Sequence, residues 1–131
     1  MAYVLDTSAI LTVLLTIEEA DKVVDLLRAA AKQGETRVLV PFTVMGELES
    51  YLLRRVPEKA DRVLAQVEGW PTEIVESYPQ WRHEAVRLQA TFGVPLAVAW
   101  PAALALLHDA QLVHRDAAFD DLPGLTHIRI P

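Results

Sequence analysis

The sequence predicts an α/β domain of three layers, with helices on both faces of a central, mostly parallel sheet. Short β-branched apolar segments alternate with helical segments along the whole chain, as in consecutive βα units. Apolar residues make up 52% of the 131 residues and charged residues 23%, which is typical of a globular protein. This length suits one domain, so residues 1–131 are predicted to form a single unit without repeats or linkers.

The N-terminal part is predicted to hold two strands and two helices. Residues 3–5 form a short apolar strand that stops at Asp6, and Asp6 offers N-cap chemistry to a helix over 9–15. Residues 18–33 carry apolar side chains at the spacing of one buried helix face. Residues 38–40 are β-branched and apolar, which favours a second strand.

The rest of the chain continues the alternation of strands and helices. Helices are predicted over 43–56, 57–67, 79–92 and 97–107, and strands over 73–75, 111–114 and 127–130. Pro101 leaves open a later start of the helix over 97–107, with Trp100 as N-cap and Val98 in the preceding loop.

An uncharged run over 88–107 raises the question of a membrane span. Its apolar part, 94–107, is 14 residues long, whereas a span needs about 20. A buried core segment is therefore predicted, without a membrane partner. The chain has no cysteine, which excludes disulfides and thiolate zinc sites and fits a reducing cytoplasm.

The charge balance limits how the chain could meet nucleic acid. Twelve basic and 18 acidic residues give a net charge of −6, which argues against coating nucleic acid by bulk electrostatics but allows a local basic strip. The chain has no glycine-rich phosphate loop and no Gly-x-Ser-x-Gly elbow, which leaves nucleotide-dependent kinases, dehydrogenases and α/β-hydrolases unsupported.

Three acids follow the predicted strands. Asp6 ends the first strand, Glu47 lies early in the helix after the second, and Asp116 comes shortly after the strand over 111–114. Since ligands of open α/β sheets bind at the carboxyl ends of the strands, we expect these carboxylates to converge there. Such oxygen ligands favour Mg²⁺ or Mn²⁺. Taken singly, each acid also has a structural interpretation: Asp6 as a helix cap, Glu47 as a solvated residue, and Asp116 as a turn residue.

The segments around these acids carry a family resemblance. Val-Leu-Asp-Thr-Ser-Ala over 4–9, Val-Met-Gly-Glu-Leu over 44–48 and Leu-Val-His-Arg-Asp-Ala-Ala-Phe over 112–119 occur in order, and Leu-Pro-Gly-Leu follows at 122–125. Together they resemble the PIN domain, in particular the VapC-like toxin ribonucleases of toxin–antitoxin pairs. The resemblance covers nearly the whole chain.

The resemblance implies a nuclease that cleaves RNA with one or two carboxylate-held divalent ions. In it, Asp6 is the central ligand, Glu47 binds a metal or its water, and Asp116 acts through water. Ser8 is expected either to add a hydroxyl to this pocket or to cap the helix. The resemblance also implies a small antitoxin partner and a homodimer.

The chain departs from the family pattern at Val98, where another acid is usual. Two interpretations follow. Either three acids still hold a metal and activity is weakened, with Asp120 or Asp121 supplying an oxygen, or the site is degenerate and the domain is an RNA- or protein-binding module.

Basic residues cluster in one stretch, and this stretch has two interpretations. A phosphate-contacting strip near Glu47 is one, and a solvated helix face is the other. The four histidines form no i, i+4 pair, so no zinc site is predicted. The basic cluster consists of Arg54, Arg55, Lys59 and Arg62.

Overall fold

The computed structural model describes residues 1–15, 18–32 and 34–131, so the end of the helix predicted over 18–33 lies outside the described residues. Five strands are present in this part of the chain: β1 (Ala2–Leu5), β2 (Arg37–Pro41), β3 (Glu73–Val75), β4 (Gln111–His114) and β5 (His127–Arg129). The helices are α1 (Thr7–Leu14), α2 (Asp21–Ala31), α3 (Phe42–Arg55), α4 (Ala60–Glu68), α5 (Pro79–Phe92) and α6 (Leu96–Leu107). Short 3₁₀ turns cover Glu18–Ala20, Pro57–Lys59 and Ala117–Phe119.

The strands form one sheet in the order β3-β2-β1-β4-β5, and every pairing in it is parallel. Val4 of the central strand β1 lies opposite Leu39 of β2 and Leu112 of β4. These three side chains pack in one core with α5 and α6, while the neighbouring Leu5 and Val113 pack in a second core with α1 to α4. This alternation across the sheet confirms the predicted α/β/α class.

The parallel topology brings the ends of several elements to one edge of the sheet. β1 ends just before α1, and β2 ends where α3 begins. α6 leads into β4 and therefore also begins at this edge, because it runs opposite to the strands. The carboxyl edge thus collects the starts of α1, α3 and α6 and the loop after β4.

Helix α6 begins at Leu96, so the alternative of a late start is wrong. The amide groups of Val98 and Ala99 donate to the carbonyl of Pro95, at 3.0 and 2.9 Å, which places Val98 in the first turn. Pro101 lies inside the helix, where it removes one backbone donor. Most of α6 is buried against the sheet and α5, and this packing compensates for the lost hydrogen bond.

Aromatic side chains join the start of α3 to α5 and α6. The Phe42 ring meets Trp81 and Trp100 edge to face at 5.6 and 5.4 Å, and the Trp81 indole N–H donates to the Trp100 carbonyl at 2.8 Å. These contacts fix the orientation of α3 at the carboxyl edge. Among the described residues, no helix combines the length and the apolarity that a membrane crossing requires, and the uncharged run over 88–107 is divided between α5 and α6.

Candidate metal centre

Asp6 lies at the end of β1 and caps α1. Its carboxylate accepts hydrogen bonds from the backbone N–H of Ser8 at 3.3 Å and from the Ser8 hydroxyl at 2.8 Å. The residue is only 6% exposed. Burial raises the pKa of Asp6, the bonds from Ser8 and Thr7 lower it in part, and the nearby charge of Asp116 raises it further. The cap predicted from sequence is confirmed, and it leaves a buried carboxylate with no basic partner among these contacts.

Ser8 links the ends of two neighbouring strands. Its hydroxyl donates to Asp6 and accepts the backbone N–H of Arg115, at 2.8 Å in both cases. The backbone N–H of Asp6 also donates to the carbonyl of Val113 at 3.1 Å. Ser8 therefore fixes the Asp6 carboxylate relative to the loop after β4, in addition to its part in the helix cap.

Glu47 lies one turn into α3 and is held from α1. The Thr7 hydroxyl donates to Glu47 Oε1 at 3.1 Å. Glu47 is exposed, as its structural interpretation expects, but partial desolvation of its carboxylate raises its pKa. The charges of Asp6 and Asp116 raise this pKa further, against a lowering effect of the Thr7 bond. Glu47 is thus oriented by a hydroxyl and electrostatically coupled to both other acids.

Asp116 caps the 3₁₀ turn that follows β4. Its carboxylate accepts the backbone N–H of Ala118 at 2.9 Å. The loop after β4 places Asp116 at the same carboxyl edge as Asp6 and Glu47, and its charge raises the pKa of both. They lie within direct electrostatic range of one another.

The three acids form an open arrangement. In the described part of the chain, the only group of three or more histidine or acidic residues with ligand atoms all within 4.8 Å of one another is His114, Asp120 and His127. A cation between Asp6, Glu47 and Asp116 would therefore keep several waters, as Mg²⁺ commonly does. The oxygen donors and the uncompensated negative charge fit a hard divalent cation.

The side chains of His114, Asp120 and His127 are already engaged in contacts with one another or with Arg129. His114 Nε2 lies 2.8 Å from His127 Nδ1, and the rings are inclined by 6° with centroids 5.1 Å apart. Nearly coplanar rings reach these values by meeting edge to edge, so the nitrogens point at each other and leave no room for an ion between them. Asp120 accepts from Arg129 at 2.6 Å. These geometries favour a hydrogen-bonded pair and an ion pair over a zinc site.

His114 supports the backbone of Asp116. Its Nδ1 accepts the Asp116 backbone N–H at 3.1 Å, which assigns the ring proton to Nε2, the donor to His127. His114 is fully buried, and its burial and the neighbouring His127 lower its pKa. The neutral ring thus ties the acid-bearing loop to the edge strand β5.

We expect His114→Phe to weaken Mn²⁺ binding about 10- to 100-fold, the usual effect of losing a group that orients a metal ligand. His114→Asn keeps an acceptor for the Asp116 N–H. It should therefore retain most of the affinity. Isothermal titration with Mn²⁺ measures both. Equal loss in the two variants would show that His114 acts only through packing.

Comparison with known proteins places the chain in a family. The family model of the PIN domain matches residues 3–125. The chain belongs to the PIN domain family. No curated protein sequence matches it. The resemblance seen in the sequence is therefore confirmed at the level of the family.

Solved structures share this fold at low sequence identity. VapBC2 from Rickettsia felis, bound to a promoter DNA fragment, matches with a TM-score of 0.78, 16% identity and 98% coverage of both chains. VapBC-1 from nontypeable Haemophilus influenzae gives 0.77, 17% and 98% of both chains. VapBC-5 from Mycobacterium tuberculosis gives 0.68, 22% and 98% of both chains. The PIN domain thus has the fold of chains from toxin–antitoxin systems.

Val98 of this PIN domain lies in the first turn of α6, at the edge that also carries the acids. It is 6% exposed and packs in the core on the α5–α6 side of the sheet. Its side chain offers no ligand atom. Asp120 is held by Arg129, so its supply of a replacement oxygen remains a prediction.

The structure places the residues of the predicted basic cluster in different surroundings. Arg54 lines a cavity of about 500 Å³ together with Glu47, whereas Arg55 lies over the Tyr51 ring at 5.3 Å. Lys59, in a 3₁₀ turn, and Arg62, in α4, are exposed. The remaining cavity residues were not predicted from the sequence. A stripe on α3 at i, i+3, i+4 and i+7 from Glu47 could have indicated most of them. The cavity is lined by Thr7, Gly46, Glu47, Ser50, Tyr51 and Arg54.

Proposed function

We propose that this PIN domain is a divalent-cation-dependent endoribonuclease of the VapC-like toxin type. The observation that carries the proposal is the convergence of Asp6, Glu47 and Asp116 at the carboxyl edge, where their charges act on one another. Such a cluster is unfavourable without a cation. The family and the fold shared with chains of toxin–antitoxin systems support the same conclusion.

In this proposal, Asp6, Glu47 and Asp116 hold Mg²⁺ or Mn²⁺, directly or through water. The bound cation supplies Lewis-acid chemistry for phosphodiester hydrolysis. The chain contributes the placement of the donors: Ser8 fixes Asp6, Thr7 orients Glu47, and His114 holds the Asp116 backbone. The same cation offsets the local negative charge that would otherwise repel RNA.

A catalytically degenerate binding module is the second candidate function. The specific observation in its favour is Val98, a buried side chain without a ligand atom in the first turn of α6, where the resemblance implies an acid. Three carboxylates bind Mg²⁺ less tightly than four, because Mg²⁺ gives up its waters reluctantly.

A small antitoxin is the proposed protein partner, and a homodimer the proposed assembly. Solved complexes of the same fold come from toxin–antitoxin systems, one of them in Klebsiella pneumoniae. An apolar groove of about 280 Å³ between α1, α3 and α4 suits an apolar segment of such a partner. Its apolar walls include Leu11, Leu14, Leu52, Val56 and Val63.

Cleavage of single-stranded RNA in the presence of Mn²⁺ tests the enzyme. We expect the wild-type chain to cut a labelled mixed-sequence RNA with Mn²⁺ and not with EDTA. Glu47→Gln should slow cleavage at least about 100-fold, since it removes a charged ligand while keeping the shape of the side chain. Glu49→Gln, an exposed acid on the same helix, is the matched control. RNA that remains intact with the wild-type chain and Mn²⁺ would favour the binding module.

A further inference from the structure

We propose that the cavity beside Glu47 is a nucleotide-binding subsite for single-stranded RNA. In it, Tyr51 stacks on a base and Arg54 binds a backbone phosphate. The assignment of RNA rests on the proposed function, and it adds the binding residues and the path of the bound strand. The cavity has about 500 Å³, within the range of small-ligand sites.

The cavity is a continuation of the candidate metal centre. Glu47, Ser50, Tyr51 and Arg54 follow one another at helical spacing and form one stripe on α3. Thr7, which donates to Glu47, closes the cavity from α1. A strand that places its scissile phosphate near Glu47 would therefore pass along this stripe.

Arg54 supplies the positive end of the stripe. It lies seven positions after Glu47, which corresponds to about 10 Å along the helix. Arg54 is exposed and has no ion-pair partner among residues 1–15, 18–32 and 34–131. Its guanidinium is thus free for a phosphate next to the scissile one.

Tyr51 supplies the aromatic side chain of this stripe. The Arg55 guanidinium lies 5.3 Å from the ring centroid, a cation–π contact that holds the ring from one side. Tyr51 lines the cavity and is half-buried against the core on the side of α1 to α4. Aromatic side chains in such positions stack on bases without strong sequence preference.

The order of chemical groups favours RNA over a basic peptide. Along α3, Ser50 and Tyr51 lie between Glu47, a carboxylate that suits a cation, and the free guanidinium of Arg54, while the Thr7 hydroxyl lies at the Glu47 end. An RNA strand presents phosphates to both charged ends and a base and ribose to the middle. A basic peptide would meet repulsion from Arg54.

Binding measured without cleavage tests the subsite. Fluorescence anisotropy of a short labelled oligouridylate gives the affinity and its salt dependence at several salt concentrations. Ca²⁺, a hard cation for the same oxygen ligands, replaces Mn²⁺, and a gel checks that the RNA stays intact. Arg54→Gln should weaken binding about tenfold and reduce the slope of log K against log salt by about 0.7, the loss of one phosphate contact. Arg54→Lys should keep the slope.

The aromatic contact has a different signature. Tyr51→Leu should weaken binding about tenfold with an unchanged salt slope, and Tyr51→Phe should bind nearly as the wild type. Arg62→Gln, which removes an exposed charge of α4 outside the cavity, is the matched control and should leave binding unchanged.

Three results would overturn the subsite: absence of RNA binding by the wild type, equal effects of Arg54→Gln and Arg62→Gln, or a lysine-rich peptide that displaces RNA and loses affinity in the same variants. The last result would assign the cavity to a protein segment. RNA binding with this pattern but without Mn²⁺-dependent cleavage would keep the subsite and overturn only the proposed hydrolysis.

Discussion

Asp6→Asn is expected to weaken Mn²⁺ binding at least about 100-fold and to raise the Tm of the metal-free protein. The buried carboxylate of Asp6 faces the charge of Asp116 and has no basic partner among its contacts. Asn is as good an N-cap as Asp, so the hydrogen bonds to Ser8 and the start of α1 are retained. The substitution removes the charge and little else.

The pH dependence of stability provides the readout. The pKa values of Asp6 and Glu47 are raised in the folded state, so the folded chain binds protons more tightly than the unfolded chain. The contribution of these two carboxyl groups to stability is therefore fully present below their ordinary pKa, about pH 4. It is lost as the pH rises through their raised pKa values. In EDTA, the Tm difference between Asp6→Asn and the wild type should grow from pH 4 to pH 7.

Mn²⁺ should make the wild type more stable than Asp6→Asn, the reverse of their order without metal. A cation that binds only the folded state stabilises it by mass action, and the wild type alone has the full set of ligands. Thermal unfolding with EDTA and with Mn²⁺ therefore gives two opposite rankings. Glu49→Gln removes one exposed negative charge from α3 and controls for net charge. A metal-free Asp6→Asn variant that melts below the wild type at pH 7 would contradict the prediction.

The positions of the acids could be predicted because each follows from a local signal. The position of Asp6 was predicted from a short strand that ends in a cap residue. The positions of Glu47 and Asp116 at the same edge were predicted from parallel βα units. Which of these residues lie at the same edge depends on the parallel topology of the sheet. The alternation of strands and helices predicts that topology.

The contacts that orient these acids could not be predicted, because they cross between distant parts of the chain. The bond from the Arg115 backbone N–H to the Ser8 hydroxyl depends on how closely the ends of β1 and β4 approach each other. The pair of His114 and His127 depends on the register of β4 and β5, in which His127 lies opposite Leu112. Local propensity also failed at Pro101, where burial of α6 outweighs the preference of proline for a first turn.

Val98→Asp is expected to increase Mn²⁺ affinity at least about tenfold, and the rate of RNA cleavage with it, by adding a hard oxygen ligand. Val98 is the third residue of α6, and Pro95 provides no side-chain cap to this helix. A carboxylate in the first turn interacts favourably with the helix dipole. It also adds a fourth negative charge at the edge where Asp6, Glu47 and Asp116 act on one another.

Without a metal ion, Val98→Asp should be less stable than the wild type. Val98 is 6% exposed and packs in an apolar core, so a charged side chain there costs about 2 kcal/mol or more without a cation. Val98→Asn is the matched control, since asparagine has nearly the size and shape of aspartate and is polar but uncharged. Titration with Mn²⁺ and melting in EDTA separate the two effects. If the Asp and Asn variants bind Mn²⁺ alike, and no better than the wild type, a fourth acid at this position has no role in holding the cation.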